Sequence, residues 1–214
     1  MRRHLAILGI CVAPAMVFAQ ETTSQLYERL ESLYIEVIEV YLGGGDLCLG
    51  RSRAVEQKQT ELANALSRAT ATTGDRVLLF AVTANSLSHV RRLNEAGASR
   101  GGDHGSLLHV AARFADPPLL EYLVKAGFDL EETAGAGGPA LLVAVAGNRL
   151  NNVAWLIEHG ANVNAADDAG GIVLRHALAC QDQKLVDYLF DAGAIPDDKT
   201  YEVARKLGIS LQKR

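Results

Sequence analysis

The sequence predicts an all-α repeat solenoid. Three observations predict it. Gly127, Gly160 and Gly193 recur at intervals of 33 residues, and a fixed period of that length marks stacked repeats. An apolar helical pattern precedes each glycine, at residues 120–124, 153–157 and 186–190. A second, alanine-rich pattern precedes that one, at 108–112, 141–145 and 174–178. Two short helices cannot bury their faces alone, so each pair must stack on the next.

Taken in order, residues 1–19 read as a secretory signal peptide. Arg2, Arg3 and His4 form a basic start. Residues 5–18 are almost wholly apolar and carry no charge, and Val17 and Ala19 take the −3 and −1 places of a cleavage site before Gln20. The apolar run is shorter than the ~20 residues a spanning helix needs, and Pro14 interrupts it. Ile10 before Cys11 argues against a lipoprotein signal, which wants a small residue there. Residues 20–72 are expected to form an N-terminal helical hairpin. Leu26, Leu30, Leu33, Ile35, Val37, Ile38 and Val40 mark its first helix, and Leu62, Ala65 and Leu66 its second, with Gly43, Gly44 and Gly45 in the turn.

About four repeats then fill 73–196: 73–100, 101–133, 134–166 and, running into the closing segment, 167–198. The first is degenerate and carries the apolar run 78–82 and Gly97. Small residues such as Ala111, Ala112, Ala144 and Ala177 let inner helices approach closely. Gly127, Gly160 and Gly193 are expected as left-handed C-cap residues, where a side chain would clash. Pro117 and Pro118 suit the first turn of an outer helix. Residues 197–214 are expected to close the array with a short helix presenting Tyr201, Ala204, Leu207 and Leu211 on one side.

The segment Ser106-Leu107-Leu108-His109-Val110-Ala111-Ala112 and the segment Leu156-Ile157-Glu158-His159-Gly160-Ala161-Asn162-Val163-Asn164 resemble the two halves of the ankyrin repeat. The resemblance implies an ankyrin solenoid with a hairpin cap and a short C-terminal capping helix. It also implies that His109 is a structural histidine linking repeats by hydrogen bonds. Leu142 and Arg175 replace it in the next two repeats, so looser stacking is expected there.

Composition narrows the function. The chain has 21 basic and 25 acidic residues. Loss of Arg2 and Arg3 with the leader moves the net charge from −4 to −6, which argues against nucleic acid and anionic membranes. Beyond the leader stand two cysteines, Cys48 and Cys180. Their separation along a solenoid favours two free thiols, because a bridge needs Cα atoms within ~7 Å.

No catalytic, cofactor or metal site is expected. The glycine run at 43–45 lacks the Lys-Ser/Thr of a phosphate loop. No G-x-S-x-G or H-E-x-x-H occurs. His89, His104, His109, His159 and His176 show no metal-ligand spacing.

The resemblance points instead to binding by finger loops and the inner-helix flank. Repeat register puts Asp103 and His104 in one finger and Asp167 and Asp168 in the third. Arg113 and Phe114 fall on the flank, followed one and two repeats later by Ala146-Gly147 and Ala179-Cys180. Phe114 is expected as an exposed aromatic hot spot. Glu28, Glu31, Glu36, Glu39, Arg91 and Arg92 are expected on solvated faces. The expected role is that of a periplasmic monomer that binds one protein partner. By resemblance to small exported bacterial ankyrin proteins, it is an immunity protein that blocks a type VI secretion effector. The alternative is an accessory partner of an exported enzyme such as a periplasmic catalase.

Overall fold

The computed structural model describes residues 21–43, 52–74, 76–99, 107–133 and 138–211. The expected leader, Cys48, Asp103, His104 and residues 134–137 lie outside the described residues. Among those described, the regular elements are all helical; one antiparallel bridge joins Ala166 to Ile172. The fold is an all-α solenoid of paired helices.

Helices α1 (Thr23–Gly43) and α2 (Arg53–Ala65) form the hairpin. Ser52 starts α2 by accepting from Val55 N at 3.3 Å. Four helix pairs follow: α3 (Val77–Thr83) with α4 (Leu87–Glu95), α5 (Leu107–Phe114) with α6 (Pro117–Lys125), α7 (Ala140–Ala146) with α8 (Leu150–Glu158), and α9 (Val173–Ala179) with α10 (Gln183–Asp191). Helix α11 (Asp198–Leu207) ends the array, capped by Asp197, whose carboxylate accepts from Thr200 N at 2.8 Å. The inner helices α3, α5, α7 and α9 pack in succession, and α11 packs on α9 as the next inner helix would.

Each outer helix ends in one repeated motif. Gly97, Gly127, Gly160 and Gly193 have φ of +79°, +93°, +98° and +95°. The next residue's N–H reaches back five residues, from Ala98, Phe128, Ala161 and Ala194 to Leu93, Leu123, Leu156 and Leu189, which is the Schellman closure. The reason for glycine differs from the one expected. A Cβ at any of the four would meet no neighbouring heavy atom within 4 Å, so the demand comes from the backbone angle alone.

The inner-to-outer turns use a second device. Asn85, Asn148 and Gln181 also sit at positive φ, and polar side chains bridge successive turns. Asn85 donates to Asp116 Oδ2 at 2.7 Å, Arg149 to Ala115 O at 2.6 Å, and Asn148 to Asp182 Oδ2 at 3.1 Å. Buried Asn152 donates to Ala112 O and Ala115 O, both at 2.9 Å. The Arg149 and Asn152 bonds satisfy C-terminal carbonyls that the short helices leave open.

Arg92 is exposed as expected, and its guanidinium also donates to Ala69 O at 2.7 Å and Leu66 O at 2.9 Å, tying α4 to the exit of the hairpin. Three surface expectations change. Glu31 and Glu36 are paired with Arg76 at 2.8 Å and Lys58 at 2.7 Å. Helix α11 buries Thr200 and Ala204 and leaves Tyr201 and Leu207 exposed. Its contact stripe is therefore rotated by about one residue from the expected one, because docking on α9 selects the face that turns inward. Ile35, counted among the hairpin's apolar markers, is likewise exposed.

Candidate protein-binding surface

Two regions were expected to bind, the fingers and the inner-helix flank. The third finger is built around Asp167. Its Oδ1 accepts from Gly171 N at 2.6 Å and Ala169 N at 2.9 Å, and its Oδ2 lies 2.9 Å from His176 Nε2. The Gly171 amide, then His176, holds the carboxyl below the usual range. A Cβ at Gly171 would stand 2.5 Å from Asp167 Oδ2, so glycine is required by close approach. Asp167 thus spends its acceptors on the loop itself. Asp168, at the tip, is exposed and keeps its carboxylate toward solvent.

His109 does what the repeat pattern implies. It is buried, and its Nε2 lies 2.9 Å from Gly138 O in the following finger. Burial pushes its pKa down, against the opposing pull of Gly138 and Glu132. The neutral ring therefore donates from Nε2 to that carbonyl. At the corresponding place in α9, Arg175 donates to Gly170 O and reaches Asp197 Oδ2 at 3.4 Å. Loss of the histidine is offset there by a longer side chain that still bridges to the next unit.

The flank departs most from expectation. Phe114 is only 7% exposed. Tyr41 of α1 packs edge-on against it, with centroids 5.1 Å apart. The Arg113 guanidinium lies 5.5 Å above the same Tyr41 ring, a cation–π geometry. Phe114 is therefore not an exposed hot spot; the hairpin covers it. Helix α1 continues along this face. Tyr27 and Tyr34 pack on Phe80 at 5.7 and 5.4 Å. Burial raises the Tyr41 pKa, partly opposed by Arg113 and Arg149.

Helix α2 reaches the same region. Gln59, itself buried, donates through one nitrogen to Thr83 O at 2.7 Å and Phe114 O at 2.8 Å. One side chain thus closes the C-terminal ends of two inner helices. Neither Tyr41 nor Gln59 was singled out from sequence. Tyr41 continues the stripe of Leu26, Leu30 and Val37, so a signal existed; for Gln59 there was none.

The second cysteine expectation also changes. Cys180 is disulfide-bonded, not a free thiol. Its expected counterpart Cys48 lies outside the described residues.

Residues 108–200 match the family model for ankyrin repeats, in three copies. These are ankyrin repeats. The match begins inside α5 and runs into α11, so the first helix pair and the hairpin lie before it. The chain also resembles an intracellular phospholipase A2 of Caenorhabditis elegans, with 31% identity over 160 residues. That similarity covers 67% of this chain and 15% of the other. The chain spans a small part of that protein's length, so the likeness is to a section of it and not to the enzyme as a whole. An ankyrin array is a protein–protein interaction module. Among the described residues, no three or more His, Cys, Asp or Glu side chains converge as a metal site, and no helix is long and apolar enough to cross a membrane.

Proposed function

We propose that this protein is an exported ankyrin module that binds one protein and inhibits it by covering its working surface, as an immunity protein does to a secreted effector enzyme. The observation that carries the reading is the form of the free surface. The first inner helices are covered by the chain's own hairpin, which leaves the third finger and the α9–α11 end open for a partner. Acidic groups dominate that loop side: Glu131, Glu132, Asp168, Asp197 and Asp198 are all exposed. A basic patch on the partner suits them, and charges at such tips steer encounter. A disulfide at Cys180 suits an oxidising compartment such as the periplasm.

The test is capture followed by an activity assay. Full-length chain is used to capture partners from the envelope of its own cell, and the captured enzyme is assayed with and without it. Inhibition at stoichiometric amounts is expected. Asp168→Lys should slow association and weaken its salt dependence, while circular dichroism stays unchanged. Capture of an enzyme whose activity is untouched would sink the inhibitor reading, and an unaltered association rate would move the contact away from the third finger.

A further inference from the structure

The outer helices carry an aromatic ring at one register position. Tyr122, Trp155 and Tyr188 each stand five residues before the capping glycine of their repeat, Gly127, Gly160 and Gly193. All three are partly buried and pack against the core. The first two rings are covered from within the chain. The Arg91 guanidinium of α4 lies 5.5 Å over the Tyr122 centroid, a cation–π geometry. Asn94 of the same helix donates to the Tyr122 hydroxyl at 2.9 Å. His159 stacks on Trp155, with centroids 3.9 Å apart and planes 18° from parallel.

Tyr122 thus takes both polar partners from the preceding repeat, at the places six and three residues before Gly97. For Tyr188 the same two places, counted from Gly160, hold Ala154 and Ile157. These side chains supply neither a cation nor a hydrogen-bond donor. The place that His159 takes beside Trp155 holds Ala192 beside Tyr188. What stands near this third ring is negative charge. Burial raises the Tyr188 pKa, and the Glu158 carboxylate raises it further, which puts that charge close to the phenol. Glu158 is exposed. Within α10 itself, Asp187 and Asp191 outnumber Lys184.

We propose that Tyr188 and Glu158 form a docking site for an arginine side chain of a protein partner. The guanidinium stacks on Tyr188 as Arg91 stacks on Tyr122, and Glu158 pairs with its charge. The phenol oxygen accepts from a second donor of the same partner, as Tyr122 accepts from Asn94. Arginine suits the site better than lysine, because a planar, weakly hydrated guanidinium stacks on a ring while an ammonium holds its water. The site lies on the outer helices, in a different register position from the fingers and the inner flank. It does not rest on the inhibitor reading, only on a partner that presents an arginine.

The experiment is titration of the full chain with two short peptides, acetyl-Gly-Arg-Gly-amide and acetyl-Gly-Lys-Gly-amide, read by the tyrosine ring resonances. The arginine peptide should shift Tyr188, and the lysine peptide should bind about two- to fivefold more weakly, the range for exposed cation–π pairs. Glu158→Gln should weaken arginine binding and flatten its salt dependence. Ala154→Arg should fill the site from within, as Arg91 does at Tyr122, and abolish the shift with the circular dichroism unchanged. Glu158→Gln, at an exposed position, carries the test if Ala154→Arg does not fold. The Tyr122 ring should stay silent in the wild type and respond in Arg91→Ala. Equal binding of the two peptides would reduce the site to bare charge and overturn the stacking. A Tyr188 ring silent to millimolar arginine peptide, or a shift that survives in folded Ala154→Arg, overturns the site. A Tyr188 shift that grows with protein concentration alone would make a second copy the occupant and overturn the separate partner.

Discussion

At the scale of single residues, buried polar side chains hold this fold at the helix ends. Gln59 closes two inner helices through one nitrogen. Replacing it with alanine leaves two buried carbonyls without that donor, so Gln59→Ala should cost about 1–3 kcal/mol in urea unfolding; a superimposable curve would show that other groups take its place. His109 makes a pH prediction. Its folded pKa is depressed, chiefly by burial, so the unfolded chain binds the proton more readily. Stability is then complete above the unfolded value of about 6.5 and declines as pH falls through it. His89 is depressed for the same main reason, burial, with Arg92 adding to it. Melting at pH 7 and pH 5 should show the decline, and His109→Gln should flatten it while leaving the share due to His89. An unchanged slope in that variant would acquit His109.

At the scale of elements, the four outer helices show how a short helix stops where the stacking needs it to. Each runs nine residues and then takes one left-handed glycine. Gly160 sits at φ +98° with open space around its would-be Cβ. Gly160→Ala should therefore cost about 1–2 kcal/mol, the penalty of a left-handed L-residue, with no rearrangement of neighbours. A loss several times larger in thermal melting would point to a steric clash that the geometry does not contain. Helix α11 illustrates the opposite case. Its amphipathic stripe was read one residue out of phase, since Tyr201, Leu207 and Thr200 are all compatible with a helix, and only docking on α9 selects which face turns inward.

At the scale of the molecule, stability is shared between units. Leu156 is fully buried, and α8 packs on both α7 and α6. Leu156→Ala should cost about 2–5 kcal/mol, and the loss should spread, because repeats stabilise one another. Amide exchange should rise in α6 and α10 as well as α8. A rise confined to α8 would mean that this array does not fold as one cooperative unit. The hairpin belongs to the same body. Tyr27, Tyr34 and Tyr41 lay aromatic rings on Phe80 and Phe114, so the first helix of the described chain is also part of the array's inner wall.

The 33-residue period of Gly127, Gly160 and Gly193 was enough to determine the helix pairs, their caps and the stacking, because each is a local demand of backbone angle and apolar spacing repeated in register. The hairpin's helices were legible for the same reason. The role of His109 was legible through the ankyrin resemblance. What lies on what was not legible. Phe114 next to Arg113 has the same composition whether it meets a partner or Tyr41, and only the path of α1 chooses between them. Gln59 carries no local signal, since its partners are 24 and 55 residues away. Cys180 was judged by distance along an array assumed to stand apart from the hairpin. It is disulfide-bonded all the same, and sequence separation says nothing about such a contact.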